Sequence, residues 1–205
     1  MSLSRRNKPT SWGAALRRDF YKRDTPSVAR DLVGKILLHR TRAGAAGGRI
    51  VEVEAYLGRM DPASHAYSGL TPRNSPMFGT PGKAYVYFTY GMHYCVNVVT
   101  EPEGIPGAIL IRALEPLFGI PLMQRRRRTQ RIQDLARGPA RLTQALGISL
   151  KQNEADLTSG ALFITDNGEQ VPSLVVSGRI GIRKACELPL RFYLPDNPFV
   201  SRPGR

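Results

Sequence analysis

Two strand-forming stretches joined by Gly91-Met92 constrain the fold of this chain more than any other feature. Residues 84–90 (Ala-Tyr-Val-Tyr-Phe-Thr-Tyr) and residues 93–100 are rich in aromatic and β-branched side chains, which strands favour. A glycine in so short a connection is typical of a tight turn. The pattern therefore predicts a β-hairpin, whose two strands pair antiparallel.

The remaining patterns predict one α+β domain with a mostly antiparallel sheet, because strands follow one another without regular crossover helices. Further strands are expected at residues 35–40, 49–56, 108–113, 161–165, 173–182 and 190–194. Helices are expected from Thr25-Pro26 to Gly34, with Thr25 as the cap, and at residues 121–131 and 138–147.

The segments between these elements carry their own predictions. Gly47-Gly48 is expected to be a turn. Residues 57–83 form a long irregular stretch, which inside a compact domain tends to be functional. Residues 1–20 are polar and basic, and we expect them to form a flexible N-terminal arm. The domain itself is expected to span residues 21–205.

The charge of the chain indicates an anionic partner. Thirty Lys and Arg residues against 16 Asp and Glu residues give a formal net charge of +14, and duplex nucleic acid is the commonest large polyanion. Charge alone does not distinguish DNA from RNA. An anionic membrane surface is the alternative, but no convincing basic amphipathic helix is present. With neither a membrane-spanning run nor a signal peptide, we expect an intracellular protein without membrane contact. We also expect the protein to be monomeric.

The cysteines and histidines show no metal-binding spacing. Cys95 and Cys186 are not in a CxxC arrangement, and His39, His65 and His93 are scattered singly, so no zinc signature is present. We expect both cysteines to be reduced, apolar fillers. We predict no metal and no cofactor, so that any hydrolysis would depend on side chains.

Glu52 and Glu54 are candidates for acid–base chemistry. The two-residue period of the strand predicted at 49–56 places both on one face. A solvated strand face would explain an arbitrary pair of this kind. Two features favour Glu54 as a site residue. Ala55 and Tyr56 follow it at the end of the strand, where site residues often project, and the irregular segment begins directly afterwards.

Tyrosines are concentrated around the predicted hairpin. Tyr85 and Tyr87 lie on one face of their strand, and for Tyr85 a place in the core is the favoured interpretation. Tyr90 lies at the tip, where a large ring has little of its own domain to pack against. In a basic protein, such a ring is suited to stack on bases or to wedge between them.

Two basic features are less specific. Residues 125–128 are four consecutive arginines, which a solvated helix face would explain. Gly138-Pro139 opens a helix whose free N–H groups favour a phosphate, and Arg141 adds a full charge. A plain helix start explains these residues equally well.

Several blocks closely resemble the alkyladenine (3-methyladenine) DNA glycosylase family. They keep the order and spacing of the family from about residue 18 to residue 201, which is far more specific than a single motif. The blocks are 49–58 (RIVEVEAYLG), 64–66 (SHA), 71–74 (TPRN), 77–78 (MF), 85–92 (YVYFTYGM), 95–97 (CVN), 112–116 (RALEP), 138–142 (GPARL) and 190–193 (LRFY).

The resemblance implies a compact domain with a curved antiparallel sheet, surrounding helices and a protruding hairpin that inserts into DNA. It implies an enzyme that flips alkylated or deaminated purines (3-methyladenine, 7-methylguanine, hypoxanthine, ethenoadenine) from double-stranded DNA and hydrolyses their N-glycosidic bond, leaving an abasic site. Glu54 resembles the general base that activates water, and Arg112 resembles the partner that helps to hold it. No lysine is placed as a Schiff-base nucleophile, so we expect no strand cleavage.

The resemblance also assigns the residues that contact the flipped base. Tyr56 and Tyr87 are similar to the aromatic residues that sandwich it, and Ala55 lies beside Tyr56 in the same motif. His65 is similar to the residue that hydrogen-bonds the edge of the base. Asn97 matches the position that obstructs the exocyclic amino group of guanine.

The contacts to the rest of the duplex follow in the same way. Tyr90 corresponds to the wedge that fills the gap left by the flipped base, and Met92 and His93 lie beside it at the backbone. Arg141 resembles a phosphate-contacting residue at a helix start. His93 departs from the family, which often has a tyrosine at this position.

Two other functions remain open at this point. A non-catalytic basic protein that binds distorted duplex DNA or structured RNA would share the charge, the wedge and the aromatic residues, and would differ at Glu54. An acyl or formyl transferase acting on RNA has less support, because no cofactor-binding motif is present.

Overall fold

One long strand, β2 (Gly44–Tyr56), pairs with three neighbours and organises the sheet. The computed structural model describes residues 13–201. The other strands in this range are β1 (Ile36–Thr41), β3 (Ala84–Thr89), β4 (His93–Val99), β5 (Ala108–Phe118), β6 (Leu162–Thr165), β7 (Val175–Ser177) and β8 (Arg191–Tyr193). They form one antiparallel sheet in the order β3-β4-β5-β2-β1-β6, and β8 pairs with β2 and β7. The sheet is curled into a half-barrel.

Short helices surround this sheet. The α-helices of the described range are α1 (Arg18–Tyr21), α2 (Thr25–Leu32), α3 (Ile120–Arg127) and α4 (Pro139–Leu146). Single 3₁₀ turns occur at Gly58–Met60, Ser75–Phe78, Ile132–Asp134 and Leu150–Gln152. The predicted α+β class with an antiparallel sheet is confirmed. Between residues 13 and 201, no helix has the length and apolar character that crossing a bilayer requires.

Alternation along the strands separates the two faces of the sheet. Val86 and Val96 belong to the main core, on the side where α2 and α4 pack against the strands. The neighbouring Tyr85 points the other way and packs with Ala66 and Met77 from the irregular segment 57–83. Both faces of this part of the sheet are therefore covered, one by helices and the other by an irregular segment.

Gly47 and Gly48 lie inside β2, so the turn predicted at these residues is wrong. The chain reverses at residues 42–43 instead. An ideal Cβ at Gly47 would lie 2.5 Å from the carbonyl oxygen of Leu37, and one at Gly48 would lie 2.2 Å from that of Glu115. The pairing of β2 with β5 also shifts register between these two glycines. Glycine is therefore required here for close approach of three strands, and not for a turn.

Two further predicted boundaries change in the structure. Asp24, rather than Thr25, caps α2, because its side chain accepts a hydrogen bond from the backbone N–H of Ser27 at 3.0 Å. Of the strand predicted at 173–182, only Val175–Ser177 is extended and paired. The residues after it are irregular and contribute to the site described below.

The N-terminal arm predicted for residues 1–20 lies partly outside the described residues, which begin at Gly13. Ala15 forms a β-bridge with Thr165, and the backbone N–H of Leu16 donates to Ile164 at 2.8 Å. Leu16 and Phe20 pack against the main core. The boundary at residue 20 is therefore too late, because these contacts join residues 15–20 to the domain.

Replacing Gly48 with alanine should destabilise the domain by about 2 kcal/mol or more, because the added methyl group overlaps backbone that cannot move freely. Gly79→Ala is the control, since Gly79 has a φ of −89° and its nearest neighbour to an ideal Cβ is 3.4 Å away. Urea unfolding of both variants measures the difference. Equal stabilities of the two variants would contradict this explanation of Gly48.

Candidate active site

A cavity of about 370 Å³ opens on the sheet face that the irregular segment covers. Four strands contribute its floor, and the hairpin tip, the start of α4 and residues 180–182 contribute its rim. The lining residues are Tyr56, Ala63, His65, Met77, Tyr85, Tyr87, Thr89, Tyr90, Cys95, Asn97, Ala108, Leu110, Arg112, Pro139, Ile180, Gly181 and Ile182.

Strand register explains why residues so far apart in sequence meet here. Tyr85 pairs with Asn97, Asn97 with Leu110, and Leu110 with Glu54. The four residues therefore form one row across β3, β4, β5 and β2, and adjacent strands are about 4.8 Å apart. The row places the glutamate about 14 Å from the outermost tyrosine, below the far side of the cavity.

Glu54 is fully buried and lies directly behind the cavity wall. Its Oε2 accepts hydrogen bonds from the Tyr56 hydroxyl at 2.9 Å and from Arg112 Nη1 at 3.1 Å, and its Oε1 accepts one from the backbone N–H of Ile180 at 2.7 Å. All three donor residues line the cavity. A carboxylate has about four acceptor positions, so the described residues leave one position, on Oε1, for a further donor.

Glu52 fixes the other side of Arg112. Its Oε1 accepts from Arg112 Nε at 3.1 Å and from Arg191 Nε at 2.7 Å, and its Oε2 accepts from the backbone N–H of Ser201 at 2.7 Å. Glu52 and Glu54 lie on one face of β2 as predicted. Both are fully buried, so a solvated strand face does not explain them.

The charge of Arg112 is maintained by this arrangement. Burial alone would lower the pKa of its guanidinium, but the carboxylates of Glu54 and Glu52 outweigh that effect and hold the pKa above its usual value. Arg112 thus presents a permanent positive charge beneath the cavity, paired with two fixed negative charges.

Tyr56 and Tyr87 both border the cavity and keep their hydroxyl protons. Burial raises the pKa of the Tyr56 hydroxyl, and the carboxylate of Glu54 raises it further. Burial also raises the pKa of Tyr87, whose hydroxyl is hydrogen-bonded to Cys95.

The two cysteines differ in burial. Cys95 is buried, but Cys186 is exposed, so the prediction that Cys186 is an apolar filler is wrong.

His65 lies between the tyrosines at the cavity edge. Its Nδ1 is 2.9 Å from the Tyr85 hydroxyl, and its ring centre is 4.6 Å from that of Tyr87. Partial desolvation lowers the pKa of His65, and the nearby cation of Arg73 lowers it further. The ring is therefore neutral at pH 7, and Nε2 is the nitrogen left for a ligand.

Asn97 presents a fixed amide to the cavity. Its Nδ2 donates to the backbone carbonyl of Tyr85 at 3.0 Å, and its side chain is almost fully buried. This bond locks the orientation of the amide, so the shape that it gives the cavity floor is constant.

The hairpin tip is exposed and its backbone is strained. Tyr90 is 83% exposed and Met92 71%, and His93 is exposed beside them. Tyr90 has a φ of 51° and Gly91 a φ of 68°, and the N–H of Met92 closes the turn on Thr89 at 3.3 Å. A tyrosine in the left-handed region costs on the order of 1 kcal/mol, and such strain tends to occur at functional positions.

A sequence profile of the family described as methylpurine-DNA glycosylase matches residues 19–198. The chain belongs to this family.

Curated relatives agree with that assignment over nearly the whole chain. A protein of Methanoculleus marisnigri is 53% identical over 187 residues, which cover 89% of this chain and 96% of the relative. One from Burkholderia lata is 51% identical over 195 residues (93% of each), and one from Rhodopseudomonas palustris is 48% identical over 209 residues (99% and 98%). All three are provisionally named 3-methyladenine DNA glycosylases.

Membership makes the chain a DNA N-glycosylase for alkylated bases, a base excision repair activity. Most residues that the resemblance assigned to base and water meet at the cavity: Arg112, Tyr56, His65, Tyr87 and Asn97 line it, and Glu54 lies behind it. Ala55 differs, because its side chain faces the main core on the opposite side of β2.

The phosphate contact predicted for Arg141 lies outside the cavity. Arg141 is in the first turn of α4, half exposed and paired with Asp134 at 3.1 Å. Of the four consecutive arginines, Arg126 and Arg127 are partly buried and donate to the carbonyl of Ala145 and to the side chain of Gln144, respectively. Arg125 and Arg128 are exposed.

Sequence reasoning missed Arg179, Asp61 and the wall formed by residues 180–182. Arg179 and Asp61 form a fully buried ion pair, and the guanidinium carbon of Arg179 lies 4.6 Å from the ring centre of Tyr56. The sequence predicts Arg179 in a strand and Asp61 in an irregular segment. Neither position carries a local signal, because the two residues are 118 positions apart.

In the described range no cluster of three or more His, Cys, Asp or Glu could hold a metal.

Replacing Arg73 with glutamine should raise the pKa of His65, because the cation that disfavours imidazolium is removed. Arg59→Gln is the control, since Arg59 lies over Phe78 in the same irregular segment and not beside His65. An NMR titration of the His65 ring should show a midpoint below 6.5 in the wild type and a higher one only in Arg73→Gln. A wild-type midpoint above 6.5 would contradict the assignment of a neutral ring.

Proposed function

We propose that this enzyme flips alkylated or deaminated purines from double-stranded DNA into the cavity and hydrolyses their N-glycosidic bond, with Glu54 as general base. The observation that carries the proposal is the buried carboxylate of Glu54, held by Arg112, Tyr56 and the N–H of Ile180 behind a cavity bordered by tyrosines. A volume of about 370 Å³ falls in the range of small-ligand sites.

The open acceptor position on Glu54 Oε1 suits a water molecule. A water bound there would lose a proton to the carboxylate as it attacks the sugar, and the negative charge would stabilise the oxocarbenium-like transition state. Arg112 keeps the carboxylate oriented. The proposed hydrolysis uses only side chains and a water molecule.

Flipping a base costs a few kcal/mol of stacking and pairing. Stacking on Tyr56 and Tyr87 would return part of this, at roughly 1–3 kcal/mol per base. The free Nε2 of His65 would hydrogen-bond the edge of the base. The fixed amide of Asn97 would obstruct the exocyclic amino group of guanine and so exclude the normal base.

Outside the cavity, Tyr90 would occupy the gap left in the duplex, since an exposed ring at a strained tip is suited to wedging between base steps. Met92 and His93 would contact the backbone beside it. Arg141 would contact a phosphate at the start of α4. We further propose that the enzyme is a monomer and that it is located inside the cell, with the DNA.

Substrate range follows from the leaving group. Alkylation at N3 or N7, as in 3-methyladenine and 7-methylguanine, places a positive charge on the purine, so it departs readily. Hypoxanthine and ethenoadenine are neutral and must gain a proton as they leave. Among the described residues no lysine lines the cavity, so water is the proposed nucleophile and the proposed product is an intact strand with an abasic site.

Glu54→Gln should lower the rate of base release by about a hundredfold or more, because the amide cannot accept the proton. Binding to a lesion duplex should change little. The assay uses duplexes with one 3-methyladenine, hypoxanthine or ethenoadenine, followed by alkaline cleavage of abasic sites. Strand breaks before the alkali step would contradict the proposed hydrolysis by water.

Glu52→Gln is the matched control, since Glu52 is equally buried and bonds the same Arg112. It should lower stability without a comparable loss of rate at temperatures where the protein is folded. Equal losses of rate in Glu54→Gln and Glu52→Gln would contradict the assignment of Glu54, rather than Glu52, as the general base. Undiminished release by Glu54→Gln would show that Glu54 is not the general base, whereas a wild-type protein that binds the lesion duplex and releases no base would favour the non-catalytic binding function.

Asn97→Ser should raise the release of guanine-type bases relative to hypoxanthine by roughly tenfold, because the obstructing amide is gone. Cys95→Ala is the control, since it enlarges the same cavity without removing an amide. A competition assay between a duplex with a guanine-type base and a duplex with hypoxanthine measures the ratio of the two release rates. The same increase in both variants would show that cavity volume, and not the amide, sets the preference.

A further inference from the structure

The Arg179–Asp61 ion pair is fully buried, and stability alone does not explain it. Both side chains are 0% exposed. Arg179 Nη1 and Nη2 each donate to Asp61, the second at 2.8 Å. Burying two charges is costly, and a well-packed apolar pair is often at least as stable. Arg179 Nε is also buried without a partner among the described residues. These costs indicate a role other than stability.

Arg179 joins two segments next to the cavity wall. Its Nη1 donates to the backbone carbonyl of Ala55 at 2.9 Å, at the end of β2, and its Nη2 donates to that of Ala185 at 3.2 Å. Its guanidinium carbon is 4.6 Å from the ring centre of Tyr56. The residue that follows it, Ile180, gives its N–H to Glu54.

Asp61 joins a third segment. It accepts hydrogen bonds from the backbone N–H groups of Leu57 at 3.2 Å and Ala63 at 3.0 Å. Ala63 lines the cavity, and His65 follows two residues later. Burial alone would raise the pKa of Asp61, but the hydrogen bonds from Arg179 and Ala63 outweigh it and hold the pKa below its usual value. The pair therefore stays ionised.

We propose that Arg179, held in place by Asp61, is a positioning residue that sets the ring of Tyr56 and the backbone of Ile180 in the geometry that base stacking and Glu54 require. The proposal deepens the function proposed above and rests on it. Its physical basis is that one rigid, planar cation binds the backbone at the end of β2, Asp61 in the irregular segment and the carbonyl of Ala185 together, directly before the wall at 180–182. Lysine cannot make these contacts, because its ammonium is a point charge on a flexible stem.

The test compares Arg179→Met, Arg179→Lys and Asp61→Asn with the wild type. Two quantities are measured at temperatures where circular dichroism shows each protein folded. One is the maximal single-turnover rate of base release from an ethenoadenine or hypoxanthine duplex. The other is the affinity for a duplex with a tetrahydrofuran abasic analogue, which offers no base to the cavity.

Arg179→Met should lower the maximal rate by tenfold to a hundredfold, since small misplacements cost this much, while affinity for the abasic duplex stays within about twofold. Arg179→Lys should lie between it and the wild type. Arg18→Met is the control, because it breaks an Arg–Asp pair, Arg18–Asp156 at 2.5 Å, in which neither residue lines the cavity. That variant should lose stability alone.

A wild-type maximal rate in folded Arg179→Met would overturn the proposal. So would a parallel loss of abasic affinity and rate, which would mean that the pair only supports the fold. If Arg179→Met does not fold, Arg179→Lys and Asp61→Asn decide the question by the same two quantities. Failure of the proposed function is distinguishable, because the wild-type chain would then release no base.

Discussion

A buried cluster of opposite charges on one face of β2 is the constraint on which the site depends. Removing a carboxylate or guanidinium from water costs several kcal/mol per ion unless charged partners and hydrogen bonds compensate. Glu52 and Glu54 are fully buried, Arg112 bridges them, and Arg191 completes the set. The orientation of Glu54 is therefore fixed before any substrate binds, and preorganisation of this kind is the main source of electrostatic catalysis.

The cavity combines a rigid floor with a wall of irregular segments. Paired strands supply the floor, so its side chains have little freedom. The wall includes Ala63, His65 and residues 180–182, which lie outside the strands. The buried Arg179–Asp61 pair hydrogen-bonds the backbone of Ala55 and Ala63 beside this wall. This division suits the base-flipping function proposed above, which needs a fixed reaction centre and a rim that admits an extruded nucleotide.

Predictions succeeded where the signal is local and failed where it is not. The hairpin at Gly91, the common face of Tyr85 and Tyr87 and the helix beginning at Pro139 follow from periodicity and turn residues, and the structure has all three. The Gly47-Gly48 turn was wrong because glycine serves close strand approach as well as turns. The packed start of the chain at Leu16 was missed because its partner, β6, lies about 150 residues away.

The sequence by itself determined the antiparallel sheet, the face on which Glu52 and Glu54 lie, and the family to which the chain belongs, since these are properties of short-range order and of matching blocks. Only the tertiary structure decided that both carboxylates are buried, that Ala55 faces away from the cavity and that Arg179 lies over Tyr56. Burial and ion pairing depend on which distant segments cover a strand. No local pattern encodes that choice, because it is made by packing across the whole domain.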